Sequence, residues 1–261
     1  MALPLDLTGQ VALVTGGGTG IGEATTRLLA SCGVSAVISS RKVENLERVS
    51  GDIERESGMK IVPVQGDVRD EASCQAMVDR TMEEFGRIDI LVNNAGGSYM
   101  FPFLETGIDR FDNNMSLNLR GPYILTQAAG KHMIANGGGR IVNISSAAGV
   151  RGVRGGAVYS AAKAGLQMLT RVVAAELGPK GIRCNAIAVG AVASEGALRS
   201  WGKFGASADS MGAMNPLRRV GQPEDIANGV LFFVSELSSW VSGETLAIDG
   251  GPMLVGGLDD D

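Results

Sequence analysis

Apolar residues alternate along this chain between two rhythms. Short unbroken runs read as strands buried on both faces: Val11-Ala12-Leu13-Val14-Thr15, Ala36-Val37-Ile38-Ser39-Ser40, Lys60-Ile61-Val62-Pro63-Val64-Gln65, Ile88-Asp89-Ile90-Leu91-Val92 and Arg140-Ile141-Val142-Asn143-Ile144-Ser145-Ser146. Between them the spacing turns helical: Ala24 through Leu28 and Leu29 to Cys32-Gly33, a charged stretch from Val43 to Ser57, and Glu71 to Phe85 behind an Asp70 N-cap. Ile108 to Asn136 reads as one long helix interrupted at Gly121-Pro122, whose proline frees a carbonyl near position 118. A further helix begins near Val158, another runs from Pro223 to Glu236 with proline in its first turn, and Thr245 to Asp249 is a last strand. Repeated βα units joined by short connections predict a parallel sheet with right-handed crossovers and helices on both faces, in a single domain spanning 1–261.

In such sheets ligands bind beyond the carboxyl ends of the strands, and the chemically suggestive residues fall there. The first strand stops in Gly16-Gly17-Gly18-Thr19-Gly20-Ile21-Gly22, and a helix follows. The spacing Gly16-x-x-x-Gly20-x-Gly22 departs from G-x-G-x-x-G, yet strand, glycine turn and helix suit a pyrophosphate held at a helix N-terminus. After the second strand no carboxylate waits for ribose hydroxyls. Ser39, Ser40, Arg41 and Lys42 stand there instead, and Arg41 offers a planar fork matched to a 2′-phosphate. This set favours NADP(H), with NAD(H) as the alternative. Asp67 is placed to accept from an adenine amine. In Asn93-Asn94-Ala95-Gly96-Gly97 small residues leave room for a ribose while an amide pins neighbouring strand ends.

Tyr159 and Lys163 lie one helical turn apart on one face. A phenol titrates near pH ~10 and is a poor base at neutrality, but a fixed cation nearby favours the phenolate. The pair therefore reads as a proton-transfer group with its activator.

Composition narrows the partners. Lys and Arg number 23 against 28 acidic residues, a net charge of −5, so no basic surface points to nucleic acid. No run approaches the ~20 apolar residues of a membrane span, and the start of the chain lacks a signal-peptide pattern, so a cytoplasmic protein is expected. Cys32, Cys74 and Cys184 are scattered and odd in number, which argues against disulfides; the single histidine, His132, sits at a helix tail. Neither a zinc site nor a Ser-His-Asp triad is expected, and no metal is assigned.

Taken together the motifs resemble those of the short-chain dehydrogenase/reductase superfamily, in its common subgroup of about 250 residues. The residues that carry the likeness are Thr15 to Gly22, Asp67, Asn93 to Gly96, Asn118, Ser146, Tyr159 with Lys163, Arg183-Cys184-Asn185-Ala186-Ile187, Ser242-Gly243 and Asp249-Gly250-Gly251. They span nearly the whole chain in the family's order. The resemblance implies a Rossmann-type doubly wound α/β fold with a seven-stranded parallel sheet. It implies that Tyr159 is the acid/base, that Lys163 holds the nicotinamide ribose and lowers the phenol's pKa, that Ser146 rather than Ser145 holds the substrate oxygen, and that Asn118 positions a water in the proton relay. It places the cofactor on Gly16, Gly18, Thr19, Gly20, Ile21, Gly22, Ser40, Arg41, Asp67, Val68, Asn94, Ala95, Gly96, Tyr159, Lys163, Gly190, Val192 and Ser194. Ser194 stands where a threonine usually bonds the nicotinamide carboxamide, and Val189-Gly190 replaces the usual Pro-Gly.

Ser194 to Asn215, with Leu198, Trp201, Phe204, Met211 and Met214 among small residues, reads as a lid suited to an apolar substrate. Tyr99, Met100 and Phe101 form the expected opposite wall, Arg151 and Arg154 flank the loop before Tyr159, and Gly256 to Asp261 is an acidic end. The family likeness also implies a homotetramer through helices near 108–136 and 158–178, with Leu166, Leu169, Val172 and Val173 divided between core and partner. The leading expectation is interconversion of a secondary alcohol and a ketone with NADP(H). The alternatives are reduction of an enoyl thioester on the same scaffold, and a nucleotide-sensing regulator without turnover.

Overall fold

The computed structural model describes residues 5–202 and 205–251. Among these, seven strands form one parallel sheet: β1 (Val11–Thr15), β2 (Ser35–Ser40), β3 (Ile61–Gln65), β4 (Ile90–Asn93), β5 (Gly139–Ser146), β6 (Ile182–Val189) and β7 (Thr245–Ile248). Their order is β3-β2-β1-β4-β5-β6-β7, so the sequence order reverses between β1 and β4. That is the Rossmann-type doubly wound arrangement the βα rhythm predicts. Leu13 stands level with Val37 on one side and Leu91 on the other, which fixes the central register.

Alternate strand residues feed two cores. Ala12, Val14, Ile38, Ile90 and Val92 face α1 (Gly20–Ser31), α2 (Val43–Ser57) and α9 (Pro223–Val234), where Leu29, Leu46 and Phe233 close the layer. Leu13, Val37, Leu91 and Ile141 face α3 (Glu71–Phe85), α5 (Gly121–Ala135) and α6 (Ala157–Leu177), against Met77, Leu125 and Ala174. This double burial explains why the strands read as continuous apolar runs rather than alternating ones.

Two boundaries differ from expectation. β4 begins at Ile90, although Asp89 before it still donates to the Val11 carbonyl at 2.9 Å and accepts from the Arg140 N–H at 2.8 Å, while its carboxylate accepts the Val11 N–H at 2.9 Å and pairs with Arg87. The expected long helix is broken earlier than Gly121-Pro122. It runs as α4 (Ile108–Met115), then a wider π turn over Ser116–Arg120, then α5. The Gly121 N–H reaches back to the Ser116 carbonyl. Pro122 has no N–H for the Asn118 carbonyl and its ring would crowd it; a widened turn relieves both problems. Gly121 also permits close approach, since a Cβ there would lie 2.6 Å from the Val68 carbonyl oxygen.

The expected lid holds two short helices, α7 (Glu195–Gly202) and α8 (Ala208–Ala213), while Phe204 lies outside the described residues. Its two ends are tied together: Ala193 N–H donates to Gly221 O, and Gly221 N–H to Ala191 O, both at 2.8 Å. All three cysteines are free thiols. Among the described residues no helix is long and apolar enough to cross a membrane, and no cluster of potential metal ligands occurs. The acidic end from Gly256 lies outside the described residues.

Leu13→Ala, at a site with no exposed surface, is expected to cost about 3 kcal/mol, whereas Leu104→Ala, 95% exposed, should change stability by about 0.5 kcal/mol or less. Urea unfolding of both variants checks this; equal losses would contradict the assigned core.

Candidate active site

A crevice of about 920 Å³ runs across the carboxyl ends of the strands and spans the point where strand order reverses. At its upper end the chain leaves β1 through Gly16 (φ +68°) and enters α1 at Gly20 (φ +55°), a left-handed geometry that glycine adopts at little cost. A Cβ on Gly22 would sit 2.2 Å from the Gly16 carbonyl oxygen, so Gly22 closes the turn from behind rather than lining the crevice. Gly18 also stays off the wall and packs toward Asn45 and Ser40. Gly16, Thr19, Gly20 and Ile21 form the wall itself. Thr19 gives α1 no side-chain cap, leaving first-turn N–H groups for an incoming anion.

The neighbouring wall is built from Ser39, Ser40, Arg41, Asp67 and Val68. Ser40 Oγ donates to the Lys42 carbonyl at 3.1 Å, and Arg41 is exposed. Asp67 is gripped by Arg69, whose Nε lies 3.0 Å from both carboxylate oxygens and whose Nη1 continues to Asn113 at 2.6 Å. That guanidinium, more than any other group, holds the Asp67 carboxyl below its ordinary value. Asp70 caps α3 through the Ser73 N–H, leaving Asp67 to the crevice. Ser39, buried at the end of β2, carries an Oγ without a hydrogen-bond partner among the described residues.

Asn94 joins the two halves. Its Nδ2 donates to the Thr15 carbonyl at 2.8 Å, while the Asn94 and Ala95 N–H groups both donate to Thr15 Oγ1 at 3.0 Å. Asn118 sits beneath this floor with no exposed surface. Its amide pairs with the Gly97 peptide, accepting from N–H at 3.2 Å and donating to C=O at 3.1 Å. A further bond at 2.9 Å goes to Asn114 Oδ1. The side chain is thus committed to the backbone, and what Asn118 leaves for chemistry is its main-chain carbonyl. A Cβ on Gly96 would lie 3.0 Å from Asn118 Oδ1 and 3.3 Å from Lys163 Nζ, so only glycine lets these groups share the floor.

Tyr159, Lys163 and Ser146 line the same crevice. Lys163 is 4% exposed; its Nζ donates to the Ile144 carbonyl at 2.8 Å and lies 5.9 Å from the Tyr159 ring centroid. Burial pulls its pKa down to about 8. Burial pushes the Tyr159 phenol up, and a hydrogen bond with the Ser146 hydroxyl works in the opposite direction. Desolvation is thus the largest influence on the phenol, and the Lys163 ammonium, expected from sequence to lower its pKa, is turned to a carbonyl. Ser146 Oγ accepts the Ala148 N–H at 3.1 Å, which leaves its own proton to meet the Tyr159 oxygen in the crevice. Ser145 is instead turned to α6 and donates to the Lys163 carbonyl at 3.1 Å.

The far wall combines Gly190, Val192 and Ser194 with Trp201, Met211 and Met214 from the lid, facing Tyr99 and Met100. A Cβ on Gly190 would come 2.5 Å from the Asp249 Cα, so glycine there is required by the strand end even without the usual proline before it. Ser194 Oγ accepts the Ala197 N–H at 3.2 Å and retains its proton. Phe101 is covered by the Arg110 guanidinium at 4.0 Å, and Leu198 and Arg154 stay off the wall, whereas Arg151 is on it. Sequence reasoning passed over Arg69, Asn114 and Gln167. Of these only Gln167 carried a signal, a polar residue one turn beyond Lys163 on the same helical face.

These residues suit a nicotinamide dinucleotide. The uncapped first turn of α1 and its glycines match a pyrophosphate, the Ser39 hydroxyl, without a partner among the described residues, lies on the nucleotide side, and the buried Lys163 ammonium has one hydrogen bond among the described residues, to a carbonyl. Comparison with known proteins agrees. The family model described as enoyl-(acyl carrier protein) reductase matches residues 16–252. A peroxisomal 2,4-dienoyl-CoA reductase of Danio rerio is 35% identical over 255 residues, covering 97% of this chain and 84% of that protein. A 3-oxoacyl-[acyl-carrier-protein] reductase of Synechocystis is 35% identical over 250 residues, covering 95% and 98%. A solved structure titled as an NAD(P)-dependent gluconate 5-dehydrogenase from Beutenbergia cavernae, with bound NADP, superposes with a TM-score of 0.89 at 31% identity, covering 97% and 100%.

Buried Lys163 makes stability depend on pH with a definite sign. Its folded pKa, about 8, lies below the ordinary value of 10.5, so in that window the unfolded chain binds more protons and stability rises with pH. Below about pH 8 the buried charge costs on the order of 3 kcal/mol. Cys74, Cys184 and Tyr159, all raised by burial, pull the other way at high pH, so the difference between wild type and Lys163→Met isolates the lysine. Chemical unfolding across pH 7–11 should show the variant's relative advantage shrinking as pH rises; a constant difference would mean that Lys163 is solvated.

Proposed function

Because the chain belongs to the short-chain dehydrogenase/reductase superfamily, we propose that it transfers a hydride between NADP(H) and the carbon of a secondary alcohol or ketone. It is an NAD(P)-dependent oxidoreductase of that superfamily. The observation that carries the finer reading is the meeting of Ser146, Tyr159 and Lys163 in the same crevice as the glycine turn.

The nicotinamide, when bound, supplies or takes up the hydride. In reduction the carbonyl oxygen gains negative charge, and donors aimed at it in advance stabilise that charge. The Ser146 hydroxyl, oriented by the Ala148 N–H, is one donor, and Tyr159 Oη is the other and gives up its proton. Lys163 Nζ, close to its own titration near neutrality, stands ready to hold ribose hydroxyls and to favour the phenolate. The Asn118 carbonyl, which Pro122 cannot bond, is the acceptor that ties a relay to Lys163. Gly16, Thr19, Gly20 and Ile21 would hold the pyrophosphate, Ser40 and Arg41 the 2′-phosphate, Asp67 and Val68 the adenine, Asn94, Ala95 and Gly96 the ribose region, and Val192 and Ser194 the carboxamide.

The lid over residues 194–215 brings Trp201, Met211 and Met214 to the crevice, which supports an apolar substrate. Reduction of an enoyl thioester stays the second reading, favoured by the family model's description and by the dienoyl-CoA reductase likeness. Parallel assays of a 3-oxoacyl and a 2-enoyl thioester separate the two. A cytoplasmic homotetramer belongs to the same proposal, supported by Phe111, Tyr123, Met168 and Val172, exposed on α4, α5 and α6.

Tyr159→Phe is expected to retain NADPH binding and to lose roughly 10²-fold or more in turnover, measured by NADPH absorbance with a ketone panel. Rates like wild type would remove Tyr159 from the chemistry. Arg41→Ala should weaken NADPH by roughly 10- to 100-fold and leave NADH nearly unchanged, read by fluorescence titration. Equal losses would show that Arg41 does not read the phosphate.

A further inference from the structure

Gln167 lies on α6 one turn beyond Lys163 and points to the end of β5. Its Nε2 donates to Ser145 Oγ at 3.0 Å and to the Ser146 carbonyl at 3.1 Å. Ser145 Oγ passes its own proton to the Lys163 carbonyl at 3.1 Å, and Lys163 Nζ reaches the Ile144 carbonyl at 2.8 Å. Three consecutive residues at the end of β5 are thus stapled to two successive turns of the helix that carries Tyr159. The fit is close: a Cβ on Gly149 would lie 2.7 Å from Gln167 Nε2, so the loop after β5 leaves room for this amide only because glycine stands there. Ser146 is the last residue of β5, where the strand gives way to the loop, and Gln167 fixes its carbonyl while the Ala148 N–H fixes its hydroxyl.

We propose that Gln167 is a positioning residue that sets Ser146 against Tyr159, so that both hydroxyls point at one substrate oxygen. The inference rests on the oxidoreductase reading given above. Releasing the Ser146 carbonyl lets its hydroxyl drift from the phenol. The reaction then loses one aligned donor, and the phenol loses the hydrogen bond that opposes its burial.

Two variants test it. Gln167→Met keeps length and volume without a donor, and Gln167→Glu keeps the shape but sets an acceptor against a carbonyl. Both are expected to lower kcat about 10-fold, while the NADPH dissociation constant, read by fluorescence, stays within about two-fold. The acidic limb of kcat in alcohol oxidation should move to higher pH. Ultraviolet difference titration of the phenol, taken against the same protein carrying Tyr159→Phe, should move the same way and requires no turnover. The charged groups that line the crevice with the phenol are Lys163 on its own helix, Arg151 on the preceding loop, Glu195 and Arg199 on α7, Asp249 after β7, and Arg41 and Asp67 at the nucleotide end. Gln167→Met alters none of them, so the pH limb and phenol titration are read from it, while Gln167→Glu, which adds a carboxylate, is read by kcat against the NADPH dissociation constant. If Gln167→Met fails to fold, Gln167→Glu carries the test. Variants that bind NADPH and match wild type in kcat, pH limb and phenol titration overturn the inference. An inactive Tyr159→Phe beside a wild-type-like Gln167→Met overturns this inference alone, whereas an active Tyr159→Phe overturns the reading beneath it.

Discussion

A lysine ammonium buried to 4% exposure, with one hydrogen bond among the described residues, to a backbone carbonyl, is the interaction on which this site depends. A protein interior does not accept such a charge cheaply. The sheet makes it tolerable by offering the Ile144 carbonyl near the end of β5, and Gly96 eases the fit, since a Cβ there would lie 3.3 Å from Nζ. The cost is converted into a poised group, with a pKa of about 8 beside a phenol that burial alone would leave inert. On the proposed reading, stability is traded for reactivity at this point.

Around that charge the fold serves chiefly as a jig. Strand order reverses between β1 and β4, and the crevice opens there without further design. Thr15, Asn94 and Gly97 then tie the loop after β4 to β1 on one side and to the π turn around Asn118 on the other. The widened turn is itself a consequence of Pro122. One proline therefore shapes the helix and leaves the Asn118 carbonyl without an N–H from position 122.

Much of this was legible in the chain. The run at Val11–Thr15 is bounded as expected because an unbroken apolar stretch ends at the glycine turn, and Val43–Ser57 and Glu71–Phe85 because their buried positions recur at helical spacing. Tyr159 with Lys163 and the Gly16–Gly22 turn were visible because their chemistry is local in sequence. What escaped notice depends on non-local pairing. The Asp89 carboxylate accepts the Val11 N–H, Asn118 gives its amide to Gly97, and Arg69 occupies Asp67. Desolvation escaped notice as well: spacing alone cannot reveal that burial would lower the Lys163 pKa and raise that of Tyr159.

The account stands or falls on what the crevice between the glycine turn and the phenol holds. The most direct measurement is a crystal structure of the NADPH complex. The account predicts the pyrophosphate at the first turn of α1, ribose hydroxyls at Lys163 Nζ, and the nicotinamide ring beside Tyr159 and Ser146. A dinucleotide bound elsewhere, or a nicotinamide ring out of reach of the phenol, would contradict it.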